Sequence, residues 1–118
     1  MLHYHGRRKA LIKYQNRHIY PAELERIAHE TYPGSLGAAC AVGLQDPLAQ
    51  ELPALALVLA PGVEMTEAEV EEKINGKVED YKRLRGGVHF LEELPASAQG
   101  KVKRREVVDI ITKKMGKH

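Results

Sequence analysis

The stretch PGVEMTEAEVEEKINGKVEDY, Pro61–Tyr81, carries the clearest local signal in the chain, and its place between strand-like runs decides the fold class. Thr66 followed three residues later by Glu69 is a capping box. The hydroxyl accepts from the Glu69 amide while the carboxylate reaches back to the cap's own N–H, so a helix starts there. Met65 and Val70 stand at the positions of a hydrophobic staple beside it. The helical period puts Val70, Ile74, Val78 and Tyr81 on one face, with Gly76 a weak point costing up to about 1 kcal/mol relative to Ala.

On the upstream side, GAACAVG (Gly37–Gly43) and ALALVLA (Ala54–Ala60) are short aliphatic runs that read as neighbouring strands. LQDPLAQELP (Leu44–Pro53) holds two prolines between them and reads as a loop. Earlier still, ALIKYQNRHIY has apolar residues on both sides of Gln15-Asn16, and Asn tolerates the positive φ of a tight turn, so a β-hairpin is expected. Pro21 then suits the first turn of a helix, with Leu24, Ile27, Ala28 and Thr31 on one stripe and Pro33-Gly34 ending it. Downstream, GGVHFLEEL reads as a strand with Val88 and Phe90 on one face and His89 on the other. Val107, Val108 and Ile111 mark a last amphipathic helix. The order ββ-α-ββ-α-β-α predicts an α+β fold: a small mixed or antiparallel sheet with an N-terminal hairpin and about three packed helices.

At 118 residues the chain is long enough for one domain with a core and too short for two, so residues 1–118 are read as a single unit. The longest apolar run is strand-sized, far below the roughly 20 residues of a membrane span, so no transmembrane segment is expected. The single Cys40 cannot form an internal disulfide, and its alanine and valine neighbours make it a core thiol rather than a nucleophile. The first eleven residues carry charge where a signal peptide needs apolar residues, which points to an intracellular chain. The net charge of +2 conceals basic ends around an acidic middle, since residues 1–20 hold five Lys/Arg and no acid and residues 101–118 hold seven and two. Such ends, if they meet, suit phosphate.

The loop in ELPASAQGKVKRRE, Glu93–Glu106, lies between a strand and a helix, as a P-loop does. Pro95 occupies the first glycine position of that motif and Val102 the place of the magnesium-binding Ser/Thr, so no backbone phosphate cradle forms. Any role rests on the Lys101 ammonium, with Gly100 leaving room for close approach. The histidines lack zinc-helix spacing, so no metal site is expected. The basic ends lack interleaved aromatics and any nucleic-acid-binding signature, which leaves a stand-alone basic module as an alternative resting on charge alone.

Six segments together resemble the C-terminal domain of the adenylate-forming superfamily of acyl-CoA synthetases, 4-coumarate–CoA ligases and beetle luciferases. They are GRRKALIKY (Gly6–Tyr14), IYPAELE (Ile19–Glu25), AACAVGLQD (Ala38–Asp46), ELPALALVLAPG (Glu51–Gly62), YKRLRGGVHFLEELP (Tyr81–Pro95) and GKVKRRE (Gly100–Glu106). They occur in the family's order and cover nearly the whole chain.

The resemblance implies the mobile lid of a two-step enzyme. An N-terminal adenylate-binding domain, absent from these residues, binds ATP, the carboxylic acid and most of the Mg2+ coordination. The lid closes on it to form acyl-AMP, then rotates for thioester formation with coenzyme A. Lys101 matches the lysine catalytic in adenylation, Lys13 the lysine of the second half-reaction, Lys9 the hinge, and Arg7 a residue near the nucleotide, with Gly100 beside the bound ligand. In the luciferase variant the second step is oxidative. Gly6 stands where that branch commonly has Asp, Gln15-Asn16 where it has Lys-Gly, and Gln50 where it has Gly. The isolated domain is expected to be inactive. Localisation is expected to be cytoplasmic or peroxisomal, although the terminal GKH differs from the S-K-L address.

Overall fold

The structure, a computed structural model, describes residues 11–115. It opens with the expected hairpin, β1 (Ile12–Tyr14) and β2 (Arg17–Ile19), paired from Ile12 opposite Ile19 to Tyr14 opposite Arg17. Both turn residues have positive φ, 47° at Gln15 and 67° at Asn16, the signature of a tight hairpin turn whose twist matches that of its strands. Helix α1 (Pro21–Thr31) follows with Pro at its start, burying Leu24 and Ala28.

The long hairpin β3 (Leu36–Asp46) and β4 (Gln50–Leu59) corrects the reading of residues 44–53 as a loop. Pairing continues without a break from Ala38 opposite Val58 to Asp46 opposite Gln50, and the connection shrinks to Pro47–Ala49. Asp46 Oδ2 accepts from the amides of Leu48 and Ala49 at 3.1 and 2.8 Å, so a side chain closes this turn. Pro53 lies inside β4, where its missing N–H leaves no gap in the ladder. Its carbonyl accepts from Gly86 at 2.8 Å, so its nitrogen faces the same edge, in the gap after Tyr14–Gln50 and before Ala54–Gly87. No ladder donor is missed there.

Helix α2 (Glu67–Asn75) begins as predicted. Thr66 Oγ1 accepts from Glu69 N at 3.1 Å and Glu69 Oε2 from Thr66 N at 2.9 Å. The helix stops at Gly76, earlier than its apolar stripe suggests, so Val78 and Tyr81 pack against the core from the connection beyond it. A single 3-10 turn (Asp80–Lys82) leads to β5 (Gly87–Phe90), parallel to β4, and α3 (Arg104–Lys114) ends the described chain.

Strand β4 is the spine of the sheet. On one side it pairs with β3 along its length; on the other it meets first β1 and then β5. Alternation along β4 separates two cores. Leu55 and Leu57 face α1 and α2 with Ile12, Ile19, Leu24, Ile74 and Leu84. Ala54 and Ala56 face α3, where Cys40, Val42, Val107 and Ile111 complete the second cluster. The fold is α+β, as the order of elements predicts. No helix among the described residues is long and apolar enough to cross a membrane.

Candidate functional site

Lys101 sits at the end of a small hairpin that is closed on itself. Ala96 and Val102 form an antiparallel bridge, Ser97 N donates to Lys101 O at 2.8 Å, Gly100 N to Ser97 O at 2.9 Å, and Lys103 N to Pro95 O at 2.9 Å. Ser97 Oγ also accepts from Lys101 N at 3.3 Å. The turn requires φ +86° at Gly100; a Cβ there would meet nothing within 4 Å, so what a side chain meets is backbone strain and not a clash. Lys101 itself is exposed, and none of the ion pairs among the described residues includes it.

The hairpin leads directly into α3, whose start is an unusual electrostatic site. Lys103 is the cap residue and makes no side-chain cap bond, and Arg104 and Arg105 follow it. Arg104 Nη1 donates to Glu25 Oε2 on α1 at 2.8 Å and to the Ala41 carbonyl on β3 at 2.8 Å, and lies 3.4 Å from Cys40 Sγ. Glu25 Oε2 also accepts from Ala41 N at 2.9 Å. Burial works against the charge of Arg104, but the hydrogen bond and field of Glu25 outweigh it and raise its pKa further. Burial likewise pushes the Cys40 thiol up to about 11, against the opposing pull of Arg104, as a core thiol requires.

Lys13 lies on a different element. It is exposed on β1 between buried Ile12 and Tyr14, so it projects from the sheet face opposite theirs. Its backbone N–H donates to Glu51 Oε1 at 2.8 Å. The Glu51 side chain reaches it across Gly43, where a Cβ would lie 2.6 Å from the same oxygen. On the other side of the hairpin, the Arg17 guanidinium stacks 4.6 Å over the Tyr81 ring and that of Arg85 4.8 Å over Tyr14. Arg85 is itself held by Asp80, through the backbone carbonyl at 2.6 Å and the carboxylate at 3.1 Å. These stacks flank the β1–β2 turn beside an open cleft lined by Tyr14, Gln15, Arg17, Asp80 and Tyr81.

The structure therefore joins Gly100 with Lys101 in one loop and puts Lys13 on another element. Lys9 and Arg7 lie outside the described residues. Leu11 and Ile12 line one groove with Arg104 and Arg105, which brings the start of the described chain beside the basic start of α3. Sequence reasoning missed Glu25 and Arg104, because 79 positions separate them and no local pattern links the two. It also missed Gln50, which adopts φ 75° and accepts from Asn16 N at 2.7 Å through its side chain. The signal was present there: Gln50 stands where the resembling family has Gly. Among the described residues no three His, Cys, Asp or Glu side chains converge to hold a metal.

Comparison with known proteins gives one consistent answer. Residues 34–101 match the model of the AMP-binding enzyme C-terminal domain. Over 111 residues the chain is 41% identical to a luciferin 4-monooxygenase of Nipponoluciola cruciata, covering 94% of this chain and 20% of that protein. It is 41% identical over 105 residues to a putative acyl-coenzyme A synthetase of Emericella nidulans, covering 87% of this chain and 19% of that one. The fold superimposes on apo MatB from Rhodopseudomonas palustris with a TM-score of 0.80 at 23% identity, over 92% of this chain and 21% of that one. The chain thus spans about a fifth of the length of the relatives it matches.

Proposed function

The chain belongs to the AMP-binding enzyme C-terminal domain family, and from that premise we propose that it is the mobile lid of an ATP-dependent acid–CoA ligase. Residues 1–118 form one such domain, and its partner is an N-terminal adenylate-binding domain of the same enzyme. That partner supplies the adenine pocket, the acid pocket and most of the Mg2+ coordination. The lid alone is inactive.

In the first half-reaction a carboxylate oxygen of the acid attacks the α-phosphorus of ATP, and the bond to pyrophosphate breaks. Negative charge is shared between the entering and leaving oxygens. Lys101 places a compact ammonium there, which stabilises that charge more in the transition state than in the separated reactants. The observation that carries this reading is the Gly100–Lys101 tip: an exposed lysine without a carboxylate partner among the described residues, at the end of a hairpin closed by its own hydrogen bonds. Gly100 lets the tip approach bound ligand closely, and Arg7 lies near the nucleotide. The lid then turns about Lys9, withdraws Lys101 and presents the face bearing Lys13. The sulfur of coenzyme A attacks the acyl carbonyl and AMP departs.

A second reading has an observation of its own, the 41% identity to a luciferin 4-monooxygenase. The adenylation half is then unchanged, and the second half oxidises the adenylate. The deciding experiment uses the complete enzyme that carries this domain. Lys101→Ala should lower pyrophosphate release by orders of magnitude, on the scale of a lost transition-state charge contact, and leave thioester formation from pre-made adenylate nearly intact. Equal loss of both steps would sink the assignment of Lys101.

A further inference from the structure

The hairpin that bears Lys101 has a fixed internal shape, but its orientation on the domain is set elsewhere. Among the described residues, the backbone hydrogen bonds of residues 96–102 stay inside the hairpin. Its aim therefore depends on its two flanks. One flank is apolar, with Leu91 and Leu94 packed on the second core. The other is the start of α3, where the first side chain to reach the body of the domain is Arg104. It lies three positions after Lys101, a reach of at most about 11 Å, so a shift of the helix start moves the lysine.

Local physics disfavours arginine at that position. A helix start presents the positive end of its dipole, and a cation there is destabilising, more so beside Lys103 and Arg105 with no side-chain cap. Half-burial adds a desolvation cost. What compensates is a contact made only in the folded domain. Strand β3 is the outer strand on its side of the sheet. Glu25 from α1 and Arg104 from α3 come round that edge from opposite faces of the sheet. Glu25 accepts the Ala41 N–H at 2.9 Å, Arg104 donates to the Ala41 carbonyl at 2.8 Å, and the two side chains meet at 2.8 Å. Together they occupy the places that the backbone of another strand would take. A local rule broken at one residue and repaired by a long-range contact is the pattern of a functional constraint.

We infer that the Glu25–Arg104 clasp on the edge of β3 is the positioning device that aims the Lys101 hairpin, and that Arg104 is a positioning residue for adenylation. The inference rests on the reading of Lys101 given above. It predicts a selective defect. In the complete enzyme, Arg104→Met should lower kcat for adenylation at least tenfold, with KM for ATP and acid changed less than twofold. Thioester formation from pre-made adenylate should stay within twofold. Arg104→Lys keeps the charge on a side chain one bond shorter than the Nη1 that donates to both Glu25 and Ala41, and should recover only part of the loss. Glu25→Ala, on another helix and outside the hairpin, should reproduce the selective defect if Arg104→Met proves too unstable to assay. A tenfold or greater fall in adenylation alone, in either variant, supports the clasp. Adenylation lowered less than tenfold in every one of these variants that can be assayed, while Lys101→Ala is impaired, overturns the clasp and leaves Lys101 standing. Equal loss of both half-reactions overturns it as general damage to the fold. Intact adenylation in Lys101→Ala overturns both readings.

Discussion

Gln50 concentrates the residue-scale physics of this domain. A non-glycine residue at φ 75° is strained by roughly 1–2 kcal/mol, and its side chain offsets part of this by accepting the Asn16 amide at 2.7 Å. Gln50→Ala keeps the strain and loses the bond, whereas Gln50→Gly loses the bond and relieves the strain. The Gly variant should therefore be more stable than the Ala variant by about 1 kcal/mol in urea unfolding. That reverses their usual order in a strand, and the usual order would refute strain at this site. Cys40 supplies a test by pH. Its thiol titrates near 11 in the folded protein against 9.0 for the free group, so the folded state holds its proton more tightly. Stability from this group is complete below pH 9 and falls as pH rises from 9 toward 11, by up to about 1.4 kcal/mol per unit. Denaturant titrations of the wild type and of Cys40→Ala should diverge across that window; parallel curves would show the thiol to be accessible to water. The burial of Cys40 was legible from its alanine and valine neighbours. The strain at Gln50 was not, because its φ is set by neighbours remote in sequence.

Among the elements, α2 was the most legible and the β3–β4 hairpin the least. The capping box is local, three residues from hydroxyl to carboxylate, and both of its hydrogen bonds form. Thr66→Ala should cost about 1 kcal/mol by thermal or urea unfolding, and Thr66→Asp should restore most of it; an unchanged midpoint would show that packing alone holds the helix start. The end of α2 was misread because Val78 and Tyr81 are apolar at helical spacing yet reach the core from an irregular segment. Residues 44–53 look like a loop because Pro47 and Pro53 break strands in isolation. Pro53 escapes that rule only because its nitrogen faces the gap separating β1 and β5, and that gap is a property of the sheet.

At the scale of the whole molecule, Lys13 lies on β1 of the sheet and Lys101 on the separate small hairpin that precedes α3. Lys13→Ala in the complete enzyme should slow thioester formation from pre-made adenylate at least tenfold and leave pyrophosphate release within about twofold, an effect of the size of one lost electrostatic contact. An unchanged second step would remove Lys13 from the mechanism. Its hairpin is braced by Glu51 beneath and by the arginine–tyrosine stacks at its side, so the substitution should leave the fold intact.

What the chain reveals without its fold is local or cumulative. The capping box, the hairpin turn, the alternation of strands and helices and six segments in register were enough for the α+β class and the family. These depend on neighbours within a few residues or on similarity summed along the chain. Only the tertiary structure joined Glu25 to Arg104 around the β3 edge, let Pro53 stand inside a strand and bent Gln50 into a strained conformation. Each of these rests on contacts between residues far apart in sequence, whose loop-closure entropy is recovered only when the whole sheet forms.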